Sequence, residues 1–247
     1  MIGILLVAVG EIFGEISTSL GKREVARKKE SLYAFGFLNA FWATLAFVII
    51  GLMSTFTFSV ASLPTFGIKV VLEIVMMFVT IFAVNEADRS TFTFLRILTI
   101  PLLVVVDLAL GIVLSQLQLI GMALIVVTIA FFAYQRNLSR KGKLLSLASA
   151  CIAVATISLF KYNITYYNSI AAEQAITYII LLMTLVVTAR VKTRENVFLY
   201  LIKPRHLVQS FFAGIASVLI NYALLFGPAS VIMTATRTGE VLVAVVS

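Results

Sequence analysis

Two carboxylates and one ammonium group share a face of the first apolar segment, which begins at Ile2. Glu11 and Glu15 are four residues apart and Lys22 follows seven residues later, so on a helix the three side chains form one stripe. An ionised side chain inside a bilayer is costly, so these glutamates are expected to face protein or a water-filled cavity. Glu15 and Glu11 are therefore candidates for binding a proton or a cationic solute, unless they only pack against another helix. Lys22 is a further candidate, unless it only extends to the membrane interface.

Four more charged residues interrupt apolar segments and are candidates for the same site. Glu73 lies in the third segment and Asp107 deep in the fourth, where the alternative is a polar contact between helices. Arg96 and Arg237 each lie one to two turns into a helix that follows a short turn. They could attract an anionic substrate from opposite mouths of a central cavity, or pair locally with acids such as Glu240.

The composition is that of an integral membrane protein. The 247 residues are 61% hydrophobic and 12% charged, whereas soluble domains are typically about 45–50% apolar and about 25% charged. A single Cys151 and a single His206 exclude a disulfide framework and a Cys/His metal cluster, and we expect no metal or other cofactor. The net charge of +8 comes from loops between apolar segments, which favours membrane topology over nucleic-acid binding.

Nine apolar segments follow one another, each long enough to cross a membrane as a helix. The runs are continuous rather than alternating, which favours helices over a β-barrel. We therefore predict an all-α integral membrane protein with nine transmembrane helices. The predicted segments are 2–20, 32–53, 67–85, 91–112, 116–134, 144–161, 169–189, 207–226 and 229–247.

The charge of the loops predicts the orientation. The loop after the first segment, and every second loop after it, hold 15 of the 19 Lys and Arg residues. The other side of the membrane is predicted to hold only Lys69 and Lys161. Basic loops remain cytoplasmic, so the N-terminus is predicted to lie outside. The expected location is the cytoplasmic membrane of a bacterium or archaeon.

The two halves of the chain share landmarks at a nearly constant offset. Lys22 in SLGK recurs as Lys161 in SLFK, and Arg96 recurs as Arg237, about 140 residues later. Each repeat holds five helices, and an odd number turns the second repeat upside down in the membrane. Inverted repeats of this kind are typical of alternating-access transporters, whose substrate site lies between the halves.

The repeat also predicts the limits of the two domains. The first five-helix repeat covers residues 1–137, and the second covers 143–247 and lacks its last helix. By this prediction nine helices of an expected ten are present, and a tenth would follow residue 247.

Parts of both halves resemble a known domain. The first half contains FAVNEADRST (82–91), LRILTIP (95–101) and QLIGMALI (118–125), and the second contains YALLFGPASV (222–231). These stretches resemble the latter part of EamA-type domains of the drug/metabolite transporter superfamily. The resemblance implies ten helices in two inverted repeats.

The first helix also resembles that of another transporter family. The stretch GEISTSLGK (14–22) is similar to the first helix of small multidrug resistance transporters, in which a membrane glutamate exchanges protons for substrate. The resemblance implies that Glu15 is the corresponding glutamate.

These patterns predict a secondary transporter that moves a small metabolite or drug-like solute, with proton coupling as one option. A membrane-embedded structural or assembly subunit is the main alternative. An intramembrane enzyme is less favoured, because the chain lacks an evident group of nucleophile, base or metal ligands. The predicted partners are a small-molecule substrate and membrane lipid, with a homodimer left open.

Overall fold

A computed structural model of the chain describes residues 1–26, 31–86, 97–135 and 140–246. Within those ranges every regular element is helical, which confirms the all-α class. The α-helices are α1 Ile2–Ala26, α2 Leu32–Met53, α3 Leu63–Glu86, α4 Thr99–Ala109, α5 Gln116–Gln135, α6 Arg140–Tyr166, α7 Ile170–Lys192, α8 Pro204–Ala223 and α9 Ala229–Val246. Short 3₁₀ turns, Val60–Ser62, Val197–Ile202 and Leu224–Phe226, precede α3, α8 and α9.

Two helix boundaries differ from the predicted ones in a way that matters for the site. Helix α3 begins at Leu63 rather than 67, because Pro64 is well tolerated in a first helical turn. Helix α6 continues to Tyr166 rather than ending at 161. Lys69 and Lys161 therefore lie well inside helices rather than at their ends.

Five helical stretches have the length and apolarity of membrane spans. They are Leu32–Met53, Val60–Val79, Leu147–Tyr166, Ile170–Lys192 and His206–Phe226. Many large apolar side chains also remain exposed on the outside of the described structure, such as Ile49, Leu124 and Met183. Apolar surface on this scale is expected where lipid, rather than water, is the solvent. The count of nine transmembrane helices stays a prediction.

The helices of the first half pack on helices of the second half. Helix α1 packs along α8, α3 packs along α6, and α2 packs along α7. Helix α4 contacts both α6 and α9, and α1 also contacts α9. Each of these contacts has a counterpart when α1–α4 are exchanged with α6–α9: α1–α8 becomes α6–α3, and α1–α9 becomes α6–α4. The α2–α7 and α4–α9 contacts are unchanged by this exchange, because each joins two corresponding helices.

The closest approach between α2 and α8 depends on Gly214. A Cβ atom added there would lie 2.6 Å from Trp42 Cβ and 2.9 Å from the Trp42 carbonyl carbon. Backbone at such a distance cannot move aside without separating the two helices. Small residues allow such close contacts between membrane helices.

We expect Gly214→Ala to destabilise the protein by about 1–3 kcal/mol, the usual cost of overpacking. Gly121→Ala is the matched control, because no atom lies within 4 Å of the added Cβ on α5. The control should be neutral or stabilising by up to about 1 kcal/mol through helix propensity. Thermal unfolding of both variants in one detergent, followed by circular dichroism, measures the difference. Equal unfolding temperatures would contradict the contact.

Candidate functional site

A central cavity of about 550 Å³ lies between the two halves. Side chains from α1, α2 and α3 of the first half and from α6, α7, α8 and α9 of the second half line it. Much of the wall is apolar and flexible, with Met76, Met77 and Met233 beside Phe35 and Phe160. A volume of this size suits a small molecule, and a few polar groups in an apolar wall are typical of a ligand site.

Polar side chains of α7 and α8 form one wall of the cavity. Gln174 Nε2 donates to Asn221 Oδ1 at 2.5 Å. The Asn221 amide nitrogen donates in turn to the Ser217 carbonyl at 2.7 Å, and the hydroxyls of Tyr178 and Ser217 lie 2.6 Å apart. These bonds fix the Gln174 amide, so its Oε1 is the remaining acceptor. Gln174 is 4% exposed, and this Oε1 has no hydrogen-bond partner among the described residues.

Three buried or half-buried charges, Lys69, Glu73 and Glu173, form what we call the Lys69 network. Lys69 Nζ lies 3.3 Å from Glu73 Oε1 on the same helix and 3.6 Å from Glu173 Oε1 on α7. It also donates to Thr177 Oγ1 at 3.0 Å. The side chains of Lys69 and Glu173 are fully buried, whereas that of Glu73 is 20% exposed and lines the cavity. The network therefore joins the cavity wall to the interior.

Amide groups of α6 and the turn after it complete the surroundings of Glu173. Asn163 Nδ2 donates to Glu173 Oε1 at 2.9 Å, and Asn168 Nδ2 donates to Oε2 at 2.5 Å. Thr65 of α3 donates to Asn163 Oδ1 at 2.6 Å. Both carboxylate oxygens thus accept hydrogen bonds, as a buried carboxylate requires.

Two aromatic rings cover the Lys69 ammonium group. Its Nζ lies 5.0 Å from the centroid of the Phe160 ring and 5.9 Å from that of Phe66. Ring faces attract a cation at such distances, most strongly where water is excluded. Phe160 also lines the cavity, so this residue is next to both the buried ammonium and the cavity.

Backbone and side-chain hydrogen bonds join the halves next to the Lys69 network. We call this set the polar clasp: Thr57, Ser59 and Ser62 of the segment before α3, and Asn168 and Ser169 of the segment before α7. Ser169 N donates to the Thr57 carbonyl at 2.9 Å, and Ser59 N donates to Asn168 Oδ1 at 2.8 Å. Asn168 also contacts Ser62 Oγ at 2.9 Å. The clasp thus holds the segment before α3 against the segment before α7.

Three of the predicted site residues come together at the cavity. Glu11, Glu73 and Arg237 all line it, and Arg237 is almost fully buried on α9. Gly239 lies against Glu11, since a Cβ there would be 3.0 Å from Glu11 Cγ. Glu15, the first candidate from sequence, is half-buried on α1 and is not part of the cavity lining among the described residues.

Asp107 belongs to a different place in the fold. It is buried on α4, and its Oδ2 accepts the Ser230 backbone N–H at 2.8 Å, at the first turn of α9. A carboxylate at a helix N-terminus satisfies an open N–H group and is stabilised by the helix dipole. Close by, Lys161 donates to the carbonyls of Leu224 and Gly227, at the end of α8. Asp107 and Lys161 thus fix the turn between α8 and α9.

The side chains of two predicted candidates lie outside the described part of the structure. Arg96 lies outside the described residues, and Lys22 lies in α1 with its side chain outside the described part. The pairing of Arg237 with Glu240 is likewise untested, because the Glu240 side chain is also outside it.

Sequence reasoning missed Lys69, Glu173 and Gln174. The Lys69–Glu73 spacing of four residues inside an apolar helix was the available signal, since a lysine in that setting needs a partner. Glu173 lies in the first turn of α7 after Ser169, a pattern that also fits an ordinary helix start. In the described ranges no three His, Cys, Asp or Glu side chains are placed to hold a metal ion.

The fold and the site define a helical protein with several helices of membrane-spanning length and an internal cavity lined by charged and apolar groups. Comparison with known protein families finds no family model that matches the chain, and no curated protein sequence matches it either. The resemblance to EamA-type domains and to small multidrug resistance transporters therefore stays a prediction from the sequence.

Proposed function

We propose that the protein is a secondary transporter that carries a small solute across the cytoplasmic membrane. The observation that carries this proposal is the cavity between the two halves, with walls from helices of both. A solute bound there touches both halves, so its binding energy can favour one arrangement of the halves over another. A site of this kind between two repeats is typical of alternating-access carriers.

The packing of the helices supports an inverted repeat. The contacts between halves keep their pattern when α1–α4 are exchanged with α6–α9, as a two-fold relation between repeats requires. Leu32, in the first turn of α2, lines the cavity, and so does Glu73 of the Lys69 network, which the polar clasp joins through the bond from Asn168 to Glu173. We infer a carrier that is closed by the clasp at one end and accessible from the end where α2 begins.

Proton coupling is part of the proposal and would use the carboxylates of the cavity wall. Glu11 and Glu73 both line the cavity, where protonation and solute binding would compete for the same groups. By the predicted orientation of the loops, the accessible end would face the cytoplasm and the N-terminus would lie outside.

Filling the cavity tests the proposal. We expect Ile157→Trp, which lies in the cavity lining, to reduce solute flux in proteoliposomes to the level of protein-free vesicles. The matched control is Ile179→Trp, at a position 38% exposed on α7, which should leave flux unchanged. Mass spectrometry of a defined panel of amino acids, amines, nucleosides and sugars measures the flux. If the folded wild-type protein moves no solute of the panel faster than protein-free vesicles do, the carrier function is contradicted.

A further inference from the structure

The charges that the described residues place around the cavity do not balance. Among the described residues, Glu11, Glu73 and Arg237 line it, and Lys69 and Glu173 lie directly behind its wall. Three carboxylates therefore face two cations, which leaves one formal negative charge. The protein interior has a low dielectric constant, so this negative charge is only weakly screened. The cavity therefore favours the binding of a cation.

Glu73 is where a cation can reach this negative charge. Lys69 is shared between Glu73 and Glu173, at 3.3 Å and 3.6 Å, so one ammonium serves two carboxylates. Of the three side chains, only that of Glu73 is exposed to the cavity, at 20%. A ligand cation bound there would supply the second positive charge that the Lys69 network lacks.

The open acceptor of Gln174 lies at the same end of the cavity. Gln174 follows Glu173 directly in α7, and Lys69 links Glu173 to Glu73. Its Oε1 is buried and unpartnered among the described residues, which is costly unless a donor arrives. A ligand that carries N–H donors meets this need, and a quaternary ammonium does not.

The rest of the wall suits an apolar body. Tyr178 follows one turn after Gln174 on the same face of α7, and Phe35 and Phe160 also line the cavity. Aromatic faces attract both cations and apolar groups. Methionines adapt to ligands of different shape.

We propose that the cavity binds a protonated primary or secondary amine with an apolar body, with its charge at Glu73 and an N–H donated to Gln174 Oε1. This inference rests on the proposed function, because it names the substrate class of the same site. It also makes Glu73, rather than Glu15, the carboxylate that selects the solute.

Equilibrium binding to the purified full chain in detergent tests the proposal with four matched probes: phenethylamine, its N,N,N-trimethyl derivative, 2-phenylethanol and 3-phenylpropanoate. We expect wild type to bind phenethylamine on the order of tenfold more tightly than the alcohol, with the carboxylate weakest. Glu73→Gln should remove the preference for both cations over the alcohol, and Glu73→Asp should retain most of it. Gln174→Met should weaken binding of phenethylamine and leave the trimethyl derivative unchanged.

Glu15→Gln is the matched control, since it makes the same carboxylate-to-amide change outside the cavity lining. Equal affinity for phenethylamine and 2-phenylethanol in wild type would overturn the proposal, as would an equal loss in Glu15→Gln and Glu73→Gln. Flux of a neutral or anionic solute without amine preference would overturn this substrate class and leave the carrier function standing. Absence of flux for the whole panel would overturn both.

Discussion

Lys69→Met is expected to lower the free energy of unfolding by about 3–5 kcal/mol, the usual cost of removing one partner of a buried ion pair. Methionine fills a similar volume, so the loss comes from charge rather than from an empty space. Without Lys69, Glu173 stays fully buried with its hydrogen bonds from Asn163 and Asn168 and with the like charge of Glu73 beyond. All variants are kept in the same mild detergent and are unfolded by heat or by adding a denaturing detergent. The difference from wild type measures the loss in unfolding free energy.

A double variant separates charge from packing. Lys69→Met with Glu173→Gln removes both charges of the buried pair, so it should recover a large part of the stability that Lys69→Met loses. Lys192→Met is the surface control, because Lys192 is exposed at the end of α7, and it should change stability by less than about 0.5 kcal/mol. A similar effect for Lys69→Met and Lys192→Met would show that the network contributes nothing to stability.

The sequence pattern predicted the helices because their signal is local. Continuous apolar runs indicate helices wherever lipid is the solvent, and most of the observed bounds lie within a few residues of the predicted ones. The exceptions have local reasons as well. Pro64 belongs to the first turn of α3, and the tyrosine-rich end of α6 remains helical to Tyr166.

The site was less predictable because it depends on which faces of distant helices meet. Glu11 and Glu15 share a stripe on α1, and nothing local distinguishes the one that lines the cavity. The pairing of Lys69 with Glu173 joins residues 104 positions apart in the sequence, in different halves. Asp107 resembled a membrane carboxylate of a transport site, yet its partner is the N-terminus of α9, which only the tertiary structure provides.

The Lys69 network and the polar clasp together determine how the halves can separate. The clasp runs from the exposed Thr57–Ser169 pair to the buried Ser62–Asn168 pair and consists of neutral hydrogen bonds, whereas the Lys69–Glu173 pair is charged, fully buried and more costly to break. A carrier that opens at this end must break both sets of contacts in each cycle. Because Asn168 belongs to the clasp and donates to Glu173, the two sets are coupled rather than independent.

Locking the polar clasp is therefore expected to stop transport. Ser169 N donates to the Thr57 carbonyl at 2.9 Å, and bond lengths then keep the two Cα atoms about 5–6.5 Å apart. That separation lies within the range of about 4.4–6.8 Å that a disulfide bridges. In a background with the exposed Cys151 replaced by Ser, oxidised Thr57→Cys/Ser169→Cys should reduce flux to the level of protein-free vesicles, and reduction should restore it.

Each single cysteine variant, oxidised in the same way, is the control and should transport like the Cys151→Ser background. The extent of cross-linking is read from the intact mass before and after reduction. Full cross-linking with unchanged flux would mean that the halves do not part at the clasp, and access to the cavity from that side would then need another route. The proposed access from the end where α2 begins predicts that equilibrium binding survives the cross-link even as transport is lost, which distinguishes a locked carrier from a misfolded one.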